Sequence, residues 1–186
     1  MTGSILGNCF SEFRFSARRL ETLPAYLVPE EAESLAAFRA RRPVPERSLR
    51  TNDYLREVAE DVLAGRERLR IRVVDEPLSP YIQWELERYS ENQVAGEQIL
   101  ITVRNAGDEK AQRKLAQLAG DFWFFDAGEE DERAVLMEYD HQGGFAGAQL
   151  GTAGVLHDCR KMWNLAVQHA VPLNEYAARR RRIAAA

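Results

Sequence analysis

In the stretch LRIRVVDEPLSPYIQWELERYSENQVAGE, residues 69–97, a repeat of two residues gives way to a repeat near 3.6. Leu69, Ile71 and Val73 alternate with Arg70 and Arg72, the pattern of a strand that lays one apolar face on a core. Its arginine face is then free for solvent, a ligand or a partner. Asp75-Glu76-Pro77-Leu78 forms a loop, Ser79 is a good N-cap, and Pro80 suits a first helical position, where no backbone N–H is needed. The helix is expected from about Pro80 to about Ser90, and Ala95-Gly96-Glu97 turns the chain back.

On a helical wheel Ile82, Leu86 and Tyr89 fall together as the core face. Tyr81, Glu85, Arg88 and Asn92 recur at i, i+4, i+7 and i+11 on an adjoining stripe. That stripe has two readings: a Glu85–Arg88 ion pair with Asn92 as a cap, or the polar wall of a site. Trp84 points nearly opposite the core face, so it either packs under the N-terminal segment or stays exposed as a contact surface.

Outward from this stretch, Pro29-Glu30-Glu31 opens a helix that runs to about Arg41, with two acids at the helix end that favours them. Pro43 and Pro45 make a stiff connector. A second helix begins near Thr51-Asn52-Asp53, buries Leu55, Val58, Ala59, Val62 and Leu63, and stops at Gly65. Gln98 to Val103 reads as a strand and Asp108 to Ala119 as a polar helix. Asp121-Phe122-Trp123-Phe124-Phe125-Asp126 is apolar on both faces, which marks a central strand with an acid at each end. Ala134 to Asp140 and Phe145 to Leu150 form a hairpin around His141-Gln142-Gly143-Gly144, and a long amphipathic helix follows from about Ala153 to about Ala170. Pro172 breaks that helix before a last short one.

The sum is an α+β chain: one mixed sheet of four to five strands with a C-terminal hairpin, packed by the long C-terminal helix and by N-terminal helices. Residues 1–12 read as a flexible lead-in, 13–176 as a single domain and 177–186 as a basic tail.

Composition narrows the function classes. The chain of 186 residues carries a formal charge of −4, with no apolar run approaching a bilayer span and no signal-peptide pattern, so a cytoplasmic protein is expected. Cys9 and Cys159 lack metal or disulfide spacing, and the three histidines are scattered. No metal site or cofactor is read. Gly143-Gly144 has neither the lysine nor the following helix of a phosphate loop. The acidic balance counts against nucleic acid, except through the run Arg179–Arg182, which also reads as a solvated helix end. Arginine supplies 22 of the 25 basic residues, a coding bias of high-GC bacteria.

Four separated motifs, Arg19-Leu20-Glu21, Arg72 to Tyr81, Ala95-Gly96-Glu97 and Asp121 to Asp126, make the chain resemble an actinobacterial family of domains of unknown function. The resemblance spans about Phe13 to Tyr176. Members are often encoded near helix-turn-helix regulators, which implies an accessory or regulatory protein and transfers no catalytic residue. Two functions follow. The first is a binding module without catalytic activity, whose ligand or partner, a small molecule or a helix-turn-helix regulator, meets Arg72, Glu76, Ser79, Tyr81, Trp84, Glu85, Arg88, Asn92, Glu97, Asp121 and Asp126. The alternative is a small enzyme in which Glu76, Asp121 and Asp126 converge with Tyr81 or Glu85 for acid/base or metal-assisted chemistry.

Overall fold

The structure is a computed structural model that describes residues 4–184. Its sheet has strands β1 (Ser16–Glu21), β2 (Glu67–Val74), β3 (Gln98–Val103), β4 (Asp121–Phe125), β5 (Arg133–Tyr139), β6 (Phe145–Leu150) and β7 (Val171–Pro172). The order is β6-β5-β4-β1-β2-β3-β7, seven strands rather than the four to five expected. Only β1–β2 and β2–β3 pair in parallel. The α+β class with one mixed sheet holds.

Of the two extra strands, β1 matters most, because it lies at the centre between β2 and β4. Its sequence SARRLE places no apolar row on either face, so alternation alone does not reveal it. It is a strand because its neighbours supply hydrogen bonds and counter-charges. β7 is two residues long, paired on the β3 edge.

Among the described residues seven α-helices surround the sheet: α1 (Ile5–Glu12), α2 (Ala32–Arg39), α3 (Asp53–Leu63), α4 (Pro80–Val94), α5 (Glu109–Leu115), α6 (Ala153–Gln168) and α7 (Leu173–Ala184). One sheet face is apolar. Leu20, Ile71, Val73, Phe122 and Phe124 pack there on Cys159, Trp163 and Ala166 of α6 and on Leu115 and Leu118. β4 is fully buried between β1 and β5, as expected of a strand apolar on both faces.

The other face differs from its expectation. Arg68, Arg70 and Arg72 are buried, with Arg72 at 0% exposure, so the arginine face of β2 is covered rather than open. Helices α3 and α4 and strand β1 bring carboxylates to it, and the buried guanidiniums of Arg70 and Arg72 are tolerable when paired in this way, whereas Arg68 has Asp61 at 3.1 Å but no hydrogen bond from its guanidinium among the described residues. Ile5–Glu12 also departs from a flexible lead-in: α1 buries Cys9 and sets Phe10 edge-on against Trp123 at 4.8 Å and Phe125 at 5.0 Å.

Helix α4 starts where Ser79 and Pro80 place it, with Ser79 Oγ accepting the Ile82 N–H. It runs a turn beyond Ser90 to Val94 and ends at Gly96, whose φ of +100° suits glycine. A Cβ there would sit 3.0 Å from Val62 Cγ1, so glycine also lets α3 approach. On α3, Leu55 and Val58 are buried, but Leu63 is 88% exposed, because the helix meets the fold along only one side.

Candidate functional site

The arginine face forms the floor of a cleft of about 780 Å³. Its walls come from α4, from the segment Tyr26–Ser34, from the 45–54 connector and, across the sheet, from Trp123, Met137, Tyr139 and Phe145.

Below the floor the charges are paired. In-register pairing of β1 with β2 sets Arg19 beside Arg70 and Glu21 beside Arg72. Arg70 donates to Glu21 Oε1 at 2.5 Å, to Glu97 Oε1 at 3.1 Å and to the Tyr54 hydroxyl at 2.8 Å. Tyr89 donates its hydroxyl to Glu21 Oε2 at 2.8 Å. Burial alone would raise the Glu21 pKa, but Arg70, Arg19 and Arg72 outweigh it and hold the carboxyl well below the usual range. Arg72 donates from Nε to Glu85 Oε2 at 2.6 Å and from Nη2 to the Leu23 carbonyl at 2.6 Å. Burial pushes the Glu85 carboxyl up even beside Arg72, and Glu21 adds to the rise.

Arg19 is incompletely served. Its Nη2 donates to the Tyr139 hydroxyl at 2.6 Å and to Asp121 Oδ2 at 3.4 Å, and its Nε to Glu21 Oε1 at 3.3 Å. Nη1 is buried and finds no acceptor among the described residues. The guanidinium lies 5.3 Å from the centre of the Trp123 ring.

The residues singled out from sequence fall into three groups. Tyr81, Trp84, Glu85, Arg88 and Asn92 line the cleft together. Their bonds are not those of a solvated helix stripe: Glu85 pairs with Arg72, Arg88 pairs with Glu91 at 2.9 Å, and Asn92 donates to Glu97 Oε2 at 2.6 Å instead of capping the helix. Trp84 is 3% exposed, its Nε1 donating to Ser34 Oγ of α2 at 3.0 Å, so it packs under the N-terminal segment and the exposed-surface reading is corrected. Arg72 and Glu97 lie beneath this group as its supports.

Asp121 belongs to the floor as a hub. It accepts the Thr22 N–H at 2.8 Å, the Thr22 hydroxyl at 2.9 Å and the Tyr26 hydroxyl. Asp126, at φ +50°, accepts the backbone N–H groups of Arg14, Phe15 and Ser16 and holds the start of β1. The two acids are separated by the length of β4, roughly 17 Å at ~3.3 Å per residue. Glu76 is exposed and accepts the Tyr176 hydroxyl at 2.7 Å. Glu76, Asp121 and Asp126 therefore do not converge, and Ser79 is occupied as a cap.

Sequence reading passed over Arg19, Glu21, Tyr26, Glu31, Tyr54, Arg70, Tyr89 and Tyr139 as site residues. Arg19-x-Glu21 beside Arg70-x-Arg72 carried a partial signal, since a carboxylate in one charged alternation can pair with guanidiniums in a strand beside it, although the remaining charge needs carboxylates from elsewhere. Glu31 carried none. Its carboxyl lines the cleft and is raised to about 7 by burial, then by Glu85 and Glu21, against the weaker pull of Arg47 and Arg70.

Among the described residues, no group of three His, Cys, Asp or Glu side chains is placed to hold a metal, and no helix is long and apolar enough to cross a membrane. No curated protein and no solved structure matches the chain. A family model described as "Domain of unknown function (DUF6879)" matches residues 5–178, from the first turn of α1 into α7. That span includes every strand and every wall of the cleft, and the chain belongs to this family.

Proposed function

We propose that the cleft over the arginine face is a ligand site and that the protein is an accessory or regulatory binding module without catalytic activity. The observation that carries this reading is the contrast between floor and walls. The floor's charges, apart from Arg19 Nη1, are engaged with one another, whereas the walls leave about 780 Å³ lined by Tyr26, Tyr81, Trp84, Trp123, Tyr139 and Phe145. A volume in the range of small-molecule pockets and aromatic walls suit binding and orientation of a small organic molecule. The protein partner of the module is a helix-turn-helix regulator in the cytoplasm, and an actinobacterial origin fits the arginine-rich composition.

The test is a fragment library of neutral, cationic and anionic members, screened by amide chemical shifts on the full chain. Hits are expected to move signals of Tyr81, Trp84 and Tyr139 and to quench tryptophan fluorescence. A library in which no member of any charge disturbs those residues would overturn the reading. One observation favours a small enzyme instead: Glu31, raised to about 7, has the proton affinity of a general acid/base at neutral pH. Turnover of a bound fragment that Glu31→Gln abolishes without weakening binding would decide for that alternative.

A further inference from the structure

We propose that the ligand of the cleft is an organic cation with a planar aromatic body, its charged nitrogen held at Glu31. The inference rests on the reading of the cleft as a ligand site and names the chemistry that site selects. Glu21 and Glu85 in the same cleft have arginine partners at 2.5 and 2.6 Å. No hydrogen bond or ion pair from the described residues reaches the Glu31 carboxyl, although Glu31 is half-buried while Glu30, Glu46 and Asp53 at the rim are exposed. A half-buried carboxylate that feels Arg47, Arg70 and Arg88 only at a distance, with no cation in contact, is costly, and a ligand cation is the group that would relieve it.

The surroundings point the same way. Six carboxylates and four guanidiniums line the cleft, so a cation enters a net negative field. Tyr81 stands between Tyr26, at 6.2 Å, and Trp84, at 5.5 Å between ring centres. These buried rings back one wall of the cleft, and the exposed ring of Phe145 on the other leaves aromatic surface for a flat molecule and a cationic nitrogen. An independent sign of an intended occupant is Arg19, whose buried Nη1 lacks an acceptor beside the same cleft. An oxygen on the ligand would satisfy it, so the class includes amines that also carry a carboxylate or carbonyl.

The groups facing Glu31 are Glu85 and Arg88 of α4, Glu21 of β1, Arg70 of β2, Arg47 of the connector and Tyr81. Tyr81 is held far above its ordinary value, first by burial, and stays neutral near pH 7. Glu31 then changes charge near neutrality, and cation affinity should rise with pH as it ionises.

Calorimetric titration of the full chain with tryptamine, tryptophan, indole-3-propionate and indole varies the charge on one ring. Tryptamine is expected to bind at least about tenfold tighter than indole-3-propionate. Glu31→Gln should remove about that factor for tryptamine and leave indole unchanged, and the tryptamine affinity should fall between about pH 8 and about pH 6. Tryptophan separates the sources: it binds at least as tightly as tryptamine where Arg19 receives a carboxylate, and more weakly where the ligand is a plain amine. Indole-3-propionate binding as tightly as tryptamine, or Glu31→Gln leaving tryptamine unaffected, would overturn the proposal. Should neutral fragments fill the cleft while no cation does, the cation fails and the ligand site stands. Should nothing of any charge bind there, both fail.

Discussion

Arg72 has no exposed surface, and its two strongest partners, Glu85 and the Leu23 carbonyl, come from different elements. Trp84 shows the same dependence with an indole: its ring leans on Tyr81 and its N–H needs Ser34. Trp84→Ala is expected to lower stability by roughly 3–5 kcal/mol, the cost of emptying a buried large aromatic site. Chemical denaturation checks this, and an unchanged midpoint would return Trp84 to the surface. Glu31 makes a prediction about pH. Its folded-state pKa, about 7, lies above that of an unfolded glutamate, so the folded state binds the extra proton. The resulting stability is fully present below the unfolded pKa, near 4.3, and is lost as pH rises through about 7. Glu31→Gln should therefore flatten the stability profile between those values and leave the variant roughly 1–3 kcal/mol more stable than its parent at higher pH. Melting curves across the window measure it, and parallel profiles for variant and parent would refute the pKa assignment.

At the scale of elements, β4 is buried throughout, whereas α7 is buried only at its start. Phe124 is 1% exposed among Leu20, Phe122 and the α6 residues. Phe124→Ala is expected to cost roughly 3–5 kcal/mol in denaturant, and a parental midpoint would contradict the central place of its strand. In α7 the buried residues are Leu173 and Tyr176, and the arginine run beyond them is exposed, as is Ile183. Deleting residues 179–186 should leave the melting temperature within a few degrees of the parent, since little apolar area is lost. A truncated chain recovered only unfolded would show that the last turns of α7 do more. Helix α4 was legible because Ser79, Pro80 and Gly96 punctuate it through local backbone chemistry. Strand β1 was not, because Ser16, Arg18 and Leu20 on one face and Ala17, Arg19 and Glu21 on the other give no apolar row.

The whole molecule is a sheet with one face closed by hydrocarbon and the other by charge pairs and rings. Helix α1 completes the second closure. Phe10 and Phe13 stand 4.8 and 5.7 Å from the Arg68 guanidinium, and Tyr54 and Trp123 lie 5.5 and 5.9 Å from it. Removing residues 1–12 should lower the melting temperature by several degrees and shift tryptophan emission to the red as Trp123 meets water. An unaltered melting curve would make α1 an appendage. The sequence by itself determined the α+β class, the apolar sheet face, the interior place of β4 and the start of α4, because periodicity and capping residues act within a few residues of one another. Whether Arg70 and Arg72 met solvent or carboxylates, which of Glu76, Asp121 and Asp126 shared a space, and that Glu31 came to line a cleft were decided only by tertiary structure. An arginine in an alternating strand reads identically whether water or a glutamate from a distant element faces it, and Glu21, Glu85 and Glu97 reach the floor from three separate segments of the chain.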